Sequence, residues 1–146
     1  MGHATDKLSV IGLALEDYLN DEKSQGNLDV RTIWYDIDSG VPETPAVLIE
    51  PNGLSRDLVE TGHMTMNNFN ITLTVLYSRM GSESATKREC LQLAEELEDI
   101  LHANRYLNKL VYHSMVNSIE LGLATRERTT LRAARLTWLG RSKTRL

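Results

Sequence analysis

The stretch Phe69-Asn-Ile-Thr-Leu-Thr-Val-Leu-Tyr77 places an apolar side chain at every odd position and a mostly polar one between. That is the period-two pattern of a strand with one buried face. A short turn, Met80-Gly-Ser-Glu-Ser84, follows, and Thr86-Lys-Arg-Glu89 then has capping-box spacing, in which hydroxyl and carboxylate each satisfy a free backbone donor at a helix start. The helix expected from there carries Cys90, Leu93, Ala94, Leu97, Ile100 and Leu101 at intervals of three and four, and leaves Glu95, Glu96, Glu98 and Asp99 to solvent. Strand and helix each have one face to bury, and their short connection lets them bury it on each other.

Working outward toward the N-terminus, Asn52 to Thr65 contains Gly53, Gly62 and mixed charges with weak patterning. It reads as a long connection or the projecting tip of a hairpin, a usual place for partner contacts, with Arg56, Asp57, Glu60 and His63 as the contact candidates. The three prolines lie between Pro42 and Pro51 and bracket Ala46-Val-Leu-Ile-Glu50; because proline cannot donate to a ladder, a short strand or an edge is expected there. Val30 to Ile37 alternates as a strand, with Ile33, Tyr35 and Ile37 on one face and Thr32 and Trp34 on the other. Asp36 and Asp38 read as turn residues, because Val41-Pro42 breaks any calcium-loop pattern. Thr5-Asp6 can cap a first helix with Leu8, Ile11, Leu15, Tyr18 and Leu19 on one stripe, ending near Asn20, with Gly26 available for a left-handed turn.

Toward the C-terminus, Asn104 to Asn108 is a connector. Leu110 to Glu120 is a strand with two mixed faces that Gly122 should break, and Thr129 to Gly140 is a second strand. In the latter Leu131 and Ala133 share one face while Ala134, Leu136 and Trp138 share the other. Such a switch implies a bulge or a strand covered on both sides. Residues 1–4 and the basic tail 141–146 lack pattern and are expected to be mobile.

The order α-β-β-β-α-β-β implies a single α+β domain over residues 1–146: about five strands, antiparallel or mixed, with two helices on one face. Two helices cannot easily cover both faces, so the second-face apolar residues Trp34, Leu76, Val116 and Trp138 become candidates for a subunit interface. An apolar fraction of 41% and a charged fraction of 25% are ordinary for a globular chain, and no apolar run suits a membrane span. The N-terminus lacks a signal-peptide pattern and the single Cys90 has no partner for an internal disulfide, which favours a reducing, cytoplasmic setting. The net charge of −4 hides an asymmetry: from Arg105 onward nine Lys or Arg oppose two acids (+7), whereas the first 104 residues hold seven against eighteen (−11). The basic charges are spread along strands without aromatic interleaving, so Arg126, Arg128, Arg132 and Arg135 are expected to face solvent or the carboxylates of a neighbouring subunit in preference to nucleic acid.

Chemistry is sparse. The four histidines lie in different elements, no pair has metal-ligand spacing, and there is no nucleophile elbow, phosphate loop or dinucleotide fingerprint. No metal, cofactor or catalytic residue is expected, and the acidic helix face reads as a solubilising surface.

Several features together resemble one family. They are the element order, the proline-preceded strand Thr44-Pro-Ala-Val-Leu-Ile-Glu50, the long strand Phe69 to Tyr77 with its Ser-rich turn and acidic helix, the segment Leu107-Asn-Lys-Leu-Val-Tyr-His-Ser-Met-Val-Asn-Ser-Ile-Glu120, and the closing strand Leu131 to Leu139. From about Leu8 to Leu139 the chain resembles the tail terminator proteins of long-tailed bacteriophages, the lambda-type tail completion group, and more loosely the neck proteins that join head to tail. The resemblance implies a structural virion protein, assembled in the host cytoplasm. It would form a hexameric ring that caps the tail tube, docks to tail tube protein and head connector, and lets DNA pass through its lumen unread. The resemblance carries no catalytic residues. The alternatives are a neck or head-completion protein and, more distantly, a small nucleic-acid-binding domain or enzyme.

Overall fold

A computed structural model describes residues 4–35, 40–59, 62–78 and 83–145. Glu60, the turn readings at Asp36 and Asp38 and most of the turn Met80 to Ser84 lie outside the described residues. The elements are α1 (Leu8–Ser24), β1 (Thr32–Tyr35), β2 (Ala46–Val59), β3 (Met64–Tyr77), α2 (Glu83–Ala103), β4 (His113–Arg126) and β5 (Thr129–Arg145). The five strands form one mixed sheet in the order β1-β2-β3-β5-β4. β1 is parallel to β2, and every other pair is antiparallel. The fold is the α+β arrangement that the element order implies.

β3 is paired along its whole length on both sides, from Val59↔Met64 to Ala46↔Leu76 with β2 and from Met64↔Arg145 to Tyr77↔Arg132 with β5. Its odd residues Phe69, Ile71, Leu73 and Val75 are at most 1% exposed and face the helices. Ile49 and Leu136 flank Leu73 on the same side, and Val47 and Ala134 flank Val75. Ile11, Leu15 and Leu19 of α1 and Cys90, Leu93, Ala94, Leu97 and Leu101 of α2 close this core. The Tyr18 hydroxyl donates to the carbonyl of Ile100 at 2.6 Å and ties the two helices together.

Several boundaries differ from the sequence reading, each for a physical reason. α2 begins at Glu83, so Thr86 lies inside the first turn; it is 2% exposed and extends the buried stripe of Cys90 back by one turn. The N-cap of α1 is Lys7 without a side-chain cap, while Thr5 donates its N–H to Leu110 and its hydroxyl accepts from the Lys7 N–H. The helix also runs on to Ser24, and Gly26 closes it at φ 82° as its position suggests. Of the two readings of 52–65 the strands agree with the hairpin and not with the long connection: β2 continues to Val59 beside β3, which starts at Met64, with a register shift between Pro51 and Gly53. Pro51 is tolerated because β1 ends at Tyr35, opposite Ile49, which leaves β2 an edge from there. Gly122 does not break β4, since the ladder to β5 carries it opposite Ala133. The face switch in β5 comes from cover on both sides, the bulge being on β4 between Val116 and Ser118.

Most of the tail is strand, Leu146 lying outside the described residues. Residues 141–145 complete β5 against Met64 to Asn68. The reason is a buried polar seam: the Asn67 side chain donates to Ser142 Oγ at 3.1 Å and Thr144 Oγ1 at 2.9 Å, while the Ser142 hydroxyl donates to the Thr5 carbonyl. Asn67 and Ser142 are both 0% exposed, so these partners replace lost water at the Asn67 amide nitrogen, while its Oδ1 stays buried without a hydrogen-bond partner among the described residues.

Leu73→Ala and Leu97→Ala should each lower stability by about 2 to 5 kcal/mol, the range for leucines buried in a packed core. Exposed Glu96→Ala should change it by less than about 0.5 kcal/mol. Urea denaturation of the three variants checks this, and an unchanged midpoint for Leu97→Ala would contradict the core drawn here.

Candidate functional site

The residues singled out from sequence do not form one surface. Trp138 is 1% exposed and sits under the helices opposite Ile71 and Val116, so it is a core residue and cannot hold a subunit contact. Its ring folds back over Gly140, and a Cβ there would collide with it. Val116 belongs to the same core, and its N–H is taken by His102 Nε2 at 3.0 Å beside the β4 bulge. Both tryptophan and valine fall on the helix side because β5 and β4 count alternation from Leu136 and Trp138, not from Trp34 on the far edge.

Trp34 does lie on the helix-free face, half-buried against a small second cluster of Ala46, Leu48, Leu76, Leu131 and Ala133. That cluster is covered by the chain itself. The segment from Gly40 lies over it, with Arg126 Nε of β4 donating to the Gly40 carbonyl at 2.8 Å, and Pro42 is buried. The connection from β1 thereby reaches the strand at the opposite edge of the sheet.

The four arginines divide. Arg126 and Arg135 are on the helix-free face, Arg135 opposite Glu120. Arg132 is on the helix face, next to Cys90, and Arg128 is in the β4–β5 turn at φ 70°. In the β2–β3 hairpin, Arg56 donates to the Asp6 carbonyl at 2.9 Å, Asp57 accepts from Asn68 at 3.3 Å, and His63 is exposed near the tip.

A site that sequence reasoning missed lies at the other end of the helix-free face. A cleft of about 450 Å³ is lined by Ala4, Tyr106, Lys109, Val111, Tyr112 and Lys143. Tyr106 and Lys109 reach it from a turn in which Leu107, Asn108 and Lys109 all have positive φ, at 45°, 56° and 71°. The Tyr112 N–H pairs with the Arg141 carbonyl, and the Tyr112 hydroxyl lies 3.0 Å from Met66 Sδ, which stretches the ring across β5. Arg141, Lys143 and Arg145 occupy alternate positions of β5 on the same face, all exposed. The signal was present in Arg105-Tyr-Leu-Asn-Lys-Leu-Val-Tyr-His113, where cations and aromatics alternate after all.

Among the described residues, no three His, Cys, Asp or Glu side chains come together as a metal site requires, and no helix is long and apolar enough to cross a membrane. No protein-family model matches the chain, and no curated protein matches it.

Cys90 is 0% exposed, and burial pushes its thiol up from 9.0 to about 11, with Arg132 pulling the other way. A protonated, enclosed thiol is a poor nucleophile. The folded state holds this proton more tightly than the unfolded chain, so its contribution to stability is complete below pH 9 and declines as pH rises toward about 11. Urea midpoints measured across that interval should fall more steeply for the native chain than for Cys90→Ala; parallel curves would contradict the assignment.

Proposed function

We propose that this chain is a structural virion protein of the tail terminator type, which closes head to tail into a ring of six, caps the tail tube and meets the head connector. The observation that supports the reading is the pair of open edges on opposite sides of one sheet. β4 presents an outer edge of 14 residues that no described strand pairs with, the Val116 N–H being taken by His102, and along it Met115, Leu121 and Leu123 are 42%, 39% and 55% exposed. The other open edge is β2 beyond Ile49, with Leu58 68% exposed. Natural sheets usually guard such edges with charge, proline, bulges or cover; here the guards are local, Glu120, Arg126 and the bulge on β4 and Pro51 on β2, and the exposed apolar side chains between them leave room for pairing with another chain. Two different edges meeting make a heterologous contact, and such contacts close into rings when the rotation between neighbours allows. The family resemblance supplies the ring size and the tube as partner. Charge sets register more than strength in this reading, since exposed ion pairs contribute only about 0 to 1 kcal/mol each. DNA passes through the ring without being read, and the chain performs no reaction of its own.

The test is the particle mass by native mass spectrometry, alone and mixed with tail tube protein. A six-copy particle on tube ends is expected. Leu121→Asp with Leu123→Asp should abolish it while leaving the thermal midpoint of the monomer nearly unchanged, because both side chains are solvent-exposed in the single chain. A two-fold dimer in which one patch meets itself, with β4 left solvated, would contradict the arrangement.

A further inference from the structure

The cleft at the end of the helix-free face has no part in the edge contacts above, and its chemistry is unlike theirs. Its walls combine two exposed tyrosine rings, Tyr106 at 60% and Tyr112 at 45%, with the side chains of Lys109 and Lys143. The row Arg141, Lys143, Arg145 runs along its margin at every second residue of β5. In a strand that spacing is about 6.7 Å, comparable to the repeat of phosphates along an extended polynucleotide. Neither 104–119 nor 128–146 contains an acidic residue. On the flanking elements, Asp57 accepts from Asn68 and Asp6 lies 3.8 Å from the Lys7 ammonium. The two segments that supply the cleft's tyrosine and lysine side chains thus carry only basic charged residues although the whole chain is acidic.

We propose that this cleft binds single-stranded nucleic acid without regard to sequence, a base stacking on Tyr106 and phosphates following Lys109, Lys143 and Arg141. A row of cations alone would suit any polyanion. The tyrosine faces select a strand whose bases are free to stack, since every base has a π face and aromatic platforms beside a basic groove are how such strands are held. A duplex hides those faces and would engage the cations only. The left-handed turn at 107–109 carries Lys109 to the cleft while Tyr106 keeps its place before it. The inference does not rest on ring formation.

Fluorescence anisotropy of the full chain with a labelled oligothymidylate of roughly 12 nucleotides, within usual site sizes, tests it. Saturable binding is expected, tighter than to a duplex of equal length. With three phosphates neutralised, affinity should fall about 20-fold between roughly 50 and 200 mM salt. Tyr106→Ala should weaken binding at least about fivefold, and Tyr106→Phe should restore it, because stacking needs the ring and not the hydroxyl. Lys109→Glu with Lys143→Glu should weaken it tenfold or more. Lys23→Glu, about 25 Å away along α1, should not. Circular dichroism midpoints confirm that each variant is folded. No saturable binding at low salt, binding indifferent to Tyr106 and to the lysine pair, or preference for duplex would each overturn the proposal. So would loss of a self-associated particle in these variants without any affinity for the oligonucleotide, which would assign the cleft to a second copy of the chain.

Discussion

Everything in this fold hangs on β3 being paired along both of its edges while burying one of its faces. A strand flanked from Met64 to Tyr77 by β2 and β5 has its backbone donors and acceptors satisfied in the ladder, so its side chains alone decide where the helices go. Phe69, Ile71, Leu73 and Val75 all point one way, and α1 and α2 gather on that side because no comparable apolar row exists on the other. A shift of one residue would turn Asn70, Thr72 and Thr74 toward the helices and the apolar row toward solvent, which fixes the register. Asn67 is the exception within the row. It is buried on the core side, and its amide ties the ends of the chain together through Ser142, Thr144 and, by way of Ser142, Thr5.

What could be read from the sequence follows the strength of the periodic signal. The alternation at 69–77 and the stripe from Cys90 to Leu101 are local properties, and both elements and their buried faces are as the residues imply. The limits of β2, β4 and β5 were illegible because they depend on pairing. Gly53, Gly122 and the polar 141–145 are poor strand formers alone, yet each lies in a ladder against a partner already in place. Trp138 was misplaced for a related reason. Whether an even or an odd position of β5 faces the helices is set by its register on β3, and sequence alone does not contain that register.

The helix-free face is thus less open than a count of helices implies. One end is closed by the segment from Gly40 and by Trp34, beyond which Thr72 and Thr137 lie half-buried near the centre. The proposed contacts with other molecules therefore fall on the edges and the far end. The edges offer backbone hydrogen bonds with apolar side chains beside them, and the far end offers cations and tyrosine rings. The edge chemistry was hidden because strand order is not local information. The cleft was hidden because Lys143 joins Tyr106 and Lys109 only through the β5 pairings. The proposed assembly edges and the proposed nucleic-acid cleft are separate parts of the surface, so the two proposals do not compete.

The central claim is that the outer edge of β4 is a joining surface. Hydrogen exchange at single-residue resolution, on the free protein and on the protein bound to tail tube ends, tests it most directly. Apart from the Val116 amide, which His102 already holds, the outward amides between His113 and Arg126 should exchange quickly in the free chain and become strongly protected on assembly, together with those of β2 beyond Glu50. Assembly that left the β4 amides as fast as before, with new protection confined to α1 or α2, would contradict the account.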